Sequence, residues 1–296
     1  MDIGRYGIWT FNLDLVPSAR AVEHVDELDE LGFGAVWVPE AVGREAFTNA
    51  ALLLRGGRDI VVATGIASIW ARDAMAASAA HRTVTEAYPD RFLLGLGVSH
   101  EVMVERVRGH DYSKPYSAMA AYLDAMDQAM FFAEAPTTEP QRVIAALGPR
   151  MLGLARDRAR GAHPYFVPPE HTAMARQELG EGPLLAVEQA VVLETDPTRA
   201  REIARTHTRT YTGLPNYVNN LRPLDPTLTE DDFVPGGTDR VVDRIVAWGT
   251  VDTVLERVQA HLDAGADHVC IQVVQEGTEV PVDAWRELSQ ALGLGG

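Results

Sequence analysis

Ala63-Thr64-Gly65-Ile66-Ala67-Ser68-Ile69-Trp70, read together with Arg91-Phe92-Leu93-Leu94-Gly95-Leu96-Gly97-Val98-Ser99-His100, decides the fold class. Each stretch is a short apolar run that stops abruptly at small and polar residues. Runs of that length read as strands buried on both faces, and the helical pattern over Asp73–Glu86 separates them, so they read as parallel strands of an α/β protein. In such folds chemistry gathers at the carboxyl ends of the strands. Small residues stand there in both stretches, where a backbone can approach a flat ring or a phosphate closely.

The same alternation extends outward in both directions. Strands are expected at Tyr6–Phe11, Gly34–Val38, Ile60–Gly65, Phe92–Gly97, Arg142–Ala146, Ala162–Val167, Leu184–Leu193 and His268–Val274. Helices are expected at Pro17–Leu31, Glu45–Leu54, Asp73–Glu86, Tyr116–Phe132, from Pro149, after Pro168-Pro169, over Pro197–Thr210, and at Val251–Ala264 and Asp283–Leu292. In the first helix Ala21, Val25, Leu28 and Leu31 recur at offsets of three and four, one apolar stripe. Eight strands alternating with helices, without a dinucleotide-binding glycine fingerprint after the first, favour a (β/α)8 TIM barrel over a doubly wound sheet. One domain over residues 1–296 is expected. A helical insertion over about residues 194–250, between strand seven and the helix before strand eight, reads either as a lid or as a packed cap.

Composition limits the partners. The chain has 296 residues, 46% apolar and 23% charged, with a net charge of −16. That charge argues against nucleic acid or an anionic membrane surface, so an anionic ligand needs local arginines and backbone amides. The single cysteine, Cys270, excludes an intramolecular disulfide and reads as a buried thiol. No leader-like start and no apolar run of membrane-spanning length is visible, which makes the cytoplasm the expected address. The histidines lack the helical spacing of a metal site, so no metal is expected.

Five motifs in register carry a resemblance. They are Gly32–Glu40 (GFGAVWVPE), Thr64-Gly65-Ile66, Arg91–Gly97 (RFLLGLG), Ala146–Arg150 (ALGPR) and Ala264–Gln272 (AGADHVCIQ). The chain resembles the luciferase-like flavin and deazaflavin oxidoreductases over nearly its whole length. Gly97–His100 (GVSH), Leu214–Asn220 (LPNYVNN) and the Ala264–Gln272 run are similar to an actinobacterial branch usually assigned to coenzyme F420. The resemblance implies hydride transfer between F420 and a small organic substrate, and a homodimer. An FMN-dependent monooxygenase and a non-catalytic flavin-fold protein stay open as alternatives, since relatives bind FMN in the same cleft.

The resemblance also implies site residues. A non-proline cis peptide at the end of strand three would fall at Gly65–Ile66, making a bulge behind the central ring of the coenzyme; Ala67 follows it. Glu40, at the end of strand two, is a candidate hydrogen-bond partner and proton donor, or else a cap. Relatives commonly carry His at the next position, where this chain has Ala41. His100 is the second acid–base candidate, because an imidazole titrates near neutrality; Ser99-His100-Glu101 also reads as a helix start. Gly97, Val98 and Ser99 line the wall. Ala146 and Leu147 shape the approach to Gly148-Pro149-Arg150, where a glycine turn entering a helix offers free N–H groups to a phosphate and Arg150 adds charge. His163 either reaches the coenzyme or packs in the core. Trp9, Thr10 and Tyr165 are placed on the substrate side, with barrel filling an equal reading for Trp9.

Overall fold

The computed structural model describes residues 1–295. Its strands are β1 (Tyr6–Trp9), β2 (Ala35–Val38), β3 (Val61–Thr64), β4 (Ala67–Ser68), β5 (Phe92–Gly97), β6 (Gln141–Ile144), β7 (Gly161–Ala162), β8 (Leu184–Val192), β9 (Ala247–Trp248) and β10 (His268–Val273). All pairings are parallel, and the order β10-β1-β2-β3-β5-β6-β7-β8 closes on itself through β8 and β10. The result is the expected (β/α)8 barrel. Strand β4 continues the third position of the ring beyond a cis peptide at Gly65–Ile66, and pairs Ala67 with Leu96 and Ser68 with Gly97. Strand β9 extends the ring beside the end of β8.

The helices are α1 (Ser18–Glu30), α2 (Ala46–Leu53), α3 (Ala74–Ala87), α4 (Pro115–Asp127), α5 (Pro149–Arg158), α6 (Pro169–Leu179), α7 (Pro197–Tyr211), α8 (Pro215–Leu221), α9 (Asp239–Ile245), α10 (Val251–Asp263) and α11 (Val282–Leu292). Their apolar stripes bury against the outer faces of the strands, as Ala21, Val25 and Leu28 of α1 do. Inside the ring, Trp9, Trp37, Leu93, Val143, Ala186 and Cys270 form a second core. Large and small residues interdigitate there: a Cβ on Gly7 would stand 2.6 Å from His268 Nε2, so glycine is what admits the ring of His268. Among the described residues no helix is long and apolar enough to cross a membrane.

Several boundaries differ from the sequence expectation. Strand six, expected at Ala162–Val167, is the two-residue β7, because its continuation leaves the ladder: Phe166 takes a positive φ of 60° and gives its N–H to a side chain. The first strand stops at Trp9, since the Thr10 hydroxyl accepts from Asn12 N and opens a 3-10 turn over Asn12–Leu15. The long helix ends at Asp127, not at Phe132. Glu45 and Asp73 are caps of α2 and α3, accepting the first free N–H groups with their carboxylates. The insertion holds α7, α8 and α9, and its buried Tyr211, Tyr217, Leu221 and Val242 build their own apolar cluster with Phe166.

Candidate functional site

Glu40, Gly65, Gly97, Gly148 and His163 all follow or end ring strands, so they share the carboxyl rim although they are far apart in sequence. Around Gly65 the packing is close. A Cβ there would meet Trp9 Nε1 at 2.4 Å and His163 Nε2 at 3.1 Å. Both nitrogens are buried and neither has a hydrogen-bond partner among the described residues. The ring of His163 stacks on Trp37 with centroids 4.3 Å apart, and its Nδ1 lies 2.9 Å from Ala186 O. A carbonyl only accepts, so Nδ1 carries the proton and Nε2 presents a lone pair toward Gly65. Burial pushes the His163 pKa down to about 4, which keeps the ring neutral. Trp9 contributes the complementary N–H donor.

Ile66 lies over Gly97, where a Cβ would come within 2.4 Å of its Cδ1. Gly97 therefore lets the Ile66 side chain settle against β5 and form an apolar shelf. Ala67 is buried in β4 beneath it. The wall beyond is pinned from both sides: Trp70 Nε1 donates to Val98 O at 2.9 Å, and the Tyr112 hydroxyl donates to Ser99 O at 2.9 Å. Ser99 itself has a positive φ of 58°. His100 follows, half-buried, just before a π-helical turn over Val102–Val107. Its Nδ1 has no partner among the described residues, and its ring stands 5.5 Å from that of Tyr217. Burial lowers its pKa, with Asn216 acting in the opposite sense.

Glu40 is a hub of contacts. Its side chain is 5% exposed and pairs with Arg72, which also reaches Glu45 at 2.8 Å. Its other contacts are Ser68 N at 2.8 Å and Ala46 N at 3.3 Å. Both oxygens are therefore engaged, and they tie the end of β2 to the start of α2 and to β4. Thr10 is similarly occupied within its own turn.

The turn into α5 is open. Gly148 is exposed, a Cβ on it would touch nothing within 4 Å, and no side chain caps the helix. Pro149 takes the first helical position, which suits a residue without an N–H. The Arg150 guanidinium rests over the Tyr116 ring at 4.4 Å, and buried His171 donates from Nε2 to Leu147 O at 2.8 Å. Ala146 is buried and Leu147 half-buried on the approach.

Tyr165, expected from the sequence on the substrate side, packs 5.0 Å from the Trp9 ring and joins groups that sequence reading missed. Tyr165 donates its hydroxyl to Gln272 Oε1 at 2.9 Å and stands 2.9 Å from the Tyr211 hydroxyl. Tyr217, His207 and Phe166 complete an aromatic cluster. Glu188 is fully buried beside it, with Oε2 accepting from Phe166 N at 3.1 Å and Oε1 unpartnered among the described residues. The visible clue was a lone carboxylate, next to Gln189, inside the apolar run of β8.

These features fit a planar ring and a phosphate: an apolar shelf at Ile66 and Gly97, unpartnered polar nitrogens beside Gly65, and an uncapped glycine turn with an arginine. The sequence profile of the luciferase-like monooxygenases matches residues 9–268. The chain belongs to this family. A Mycobacterium tuberculosis relative, provisionally named a coenzyme F420-dependent oxidoreductase, is 26% identical over 196 residues. That match spans 56% of the chain and 56% of the relative, little more than half of either. Among solved structures, this luciferase-like chain is similar to an F420-dependent secondary alcohol dehydrogenase in complex with an F420-acetone adduct (TM-score 0.75, 13% identity, all of both chains). It is also similar to the coenzyme F420-dependent tetrahydromethanopterin reductase of Methanopyrus kandleri (TM-score 0.73, 16% identity, 97% of both chains). A third is a type II Baeyer–Villiger monooxygenase of Pseudomonas putida in complex with FMN (TM-score 0.66, 13% identity, 97% of this chain and 96% of that one). At such identities the likeness is one of fold.

Proposed function

We propose that this luciferase-like protein is an oxidoreductase that uses coenzyme F420 to move a hydride to or from a small organic substrate. The observation that carries the reading is the pairing of two features on one rim. One is the apolar shelf of Ile66 and Gly97; the other is the open Gly148 turn with Arg150 beside it. The provisional name of the M. tuberculosis relative supports the same coenzyme. When bound, a deazaflavin supplies two-electron hydride chemistry, and the chain supplies binding, orientation and a dry pocket.

In this reading Ile66 backs the ring, Val98 and Ser99 line it, and Ala146 and Leu147 shape the approach to the phosphate. The N–H groups of the Gly148 turn and the Arg150 guanidinium hold that phosphate. His100 is the acid–base candidate with an unengaged nitrogen. Glu40, with both oxygens engaged, acts by positioning the strand-three bulge and α2. Trp9 and His163 offer one donor and one acceptor beside Gly65, and Tyr165 faces the substrate side. The protein is proposed to work as a single-domain homodimer in the cytoplasm, with the dimer open to test by sedimentation.

The deciding experiment is thermal unfolding of the purified protein with F420 and, separately, with FMN. A ligand that binds only the folded state raises the melting temperature with concentration. Stabilisation by F420 alone supports the proposal. Stabilisation by FMN alone moves the protein to the flavin monooxygenase reading, which the likeness to an FMN-bound enzyme favours. Stabilisation by neither favours a non-catalytic binding protein, whose mouth is filled by Tyr211 and Tyr217.

A further inference from the structure

Of the polar contacts between the insertion and the barrel, one lies inside the aromatic cluster at Tyr165. Tyr165 has a single hydroxyl proton and gives it to Gln272 Oε1 of β10, so the bond between the two tyrosines must run from the Tyr211 hydroxyl of α7 to the Tyr165 oxygen. A residue of the β7–α6 connection thus joins a barrel strand to the inserted helix. Around this bond the contacts are aromatic: Tyr211 packs against Tyr165, Phe166 and Tyr217 with centroids 4.9 to 5.2 Å apart.

Tyr165 is held from both sides by one residue. Glu188 N donates to Pro164 O at 3.1 Å, and Glu188 Oε2 accepts from Phe166 N at 3.1 Å. Backbone and side chain of the same glutamate grip the residues before and after Tyr165. Phe166, with its positive φ, turns its N–H into that carboxyl. We infer that the Tyr165 hydroxyl is a latch that keeps the inserted helices α7 and α8 closed over the barrel mouth, and that Glu188 is the residue that positions it.

Glu188 also makes the latch sensitive to pH. Its carboxyl faces the side chains of Tyr165, Tyr211 and Tyr217 and the thiol of Cys270, none of them cationic. His207, on α7 in the same cluster, is held neutral by burial at a pKa of about 4. Burial raises the Glu188 pKa from 4.5 to about 8. When the mouth opens, water restores the ordinary value, so the closed form binds more protons. The Glu188 contribution to its stability is therefore complete below about pH 4.5, falls as pH rises to about 8, and is level beyond that, while His207, whose pKa returns from about 4 to 6.5 on opening, contributes in the opposite sense up to about pH 6.5.

Hydrogen exchange of the segment Pro197–Leu221, corrected for the intrinsic pH dependence of amide exchange, reads the latch directly in the full chain. In the parent, protection of this segment should decline between about pH 6.5 and 8, above the range in which His207 offsets Glu188. In Glu188→Gln, which keeps an oxygen acceptor for Phe166 N but cannot ionise, protection should be independent of pH across that same window. Tyr165→Phe should speed exchange in the segment roughly 2- to 12-fold at every pH, the equivalent of one net hydrogen bond. Tyr211→Phe removes the same bond from the other side and serves if Tyr165→Phe does not fold. The same pH decline in Glu188→Gln as in the parent would overturn the role of Glu188, and unchanged exchange in both tyrosine variants would overturn the latch.

Discussion

Gly65→Ala tests the packing on which the site rests. The added methyl would stand 2.4 Å from Trp9 Nε1 and 3.1 Å from both Trp9 Cδ1 and His163 Nε2. Neither ring can yield easily. Trp9 is 2% exposed and packs edge-on against Phe11 at 4.6 Å, and His163 is 1% exposed and stacked on Trp37. Forcing one methyl into such a core costs about 1–3 kcal/mol. The alanine returns about 0.4–1 kcal/mol by restricting the unfolded chain. The net loss is then about 1–2 kcal/mol, a drop of a few degrees in melting temperature for a chain of this size. Gly148→Ala is the matched control, because its methyl would meet nothing within 4 Å; its stability should stay within about 0.5 kcal/mol of the parent. Urea denaturation followed by circular dichroism measures both, and coenzyme titration should show Gly65→Ala weakened as the shelf next to Gly65 shifts. Equal stability of Gly65→Ala and the parent, or an equal loss in Gly148→Ala, would refute the packing argument.

Arg150→Ala should weaken F420 binding by roughly ten- to a hundredfold, the worth of one charge-assisted contact, and should leave affinity for a phosphate-free deazaflavin unchanged in parallel fluorescence titrations. Arg72→Ala strips the guanidinium from a Glu40 side chain that is 5% exposed, so a loss of about 3–5 kcal/mol is expected in urea denaturation. His100→Ala should lower turnover and remove one limb of the pH–rate profile; because burial lowers the His100 pKa, that limb lies below pH 6.5, and an unchanged profile would return His100 to a structural role.

Strand and helix types around the barrel were legible because their causes are local. The run Phe92–Gly97 is apolar throughout and the run Leu184–Val192 is apolar but for Glu188 and Gln189, and a strand buried on both faces needs little more to announce itself. Gly148-Pro149 likewise marks a helix start through bond geometry alone. The rim placement of Glu40, Gly65, Gly97, Gly148 and His163 followed from strand polarity, since parallel strands put all their carboxyl ends on one side.

What each rim residue touches was a different matter. Glu40 in the sequence is a carboxylate at a strand end, open to proton transfer or capping. Only closure of the ring brings Arg72, Ser68 N and Ala46 N onto its two oxygens. Glu188 is a charged residue in an apolar strand, but its grip on Pro164 and Phe166 joins residues more than twenty positions away. The latch between Tyr165, Tyr211 and Gln272 spans 46 and 107 positions. Periodicity reports which face of an element is buried, because that depends on neighbours within a turn or two of chain. Hydrogen-bond partners drawn from separate strands exist only after the barrel closes, and so the tertiary structure alone decided which rim groups were already engaged and which nitrogens beside Gly65 were left without a partner among the described residues.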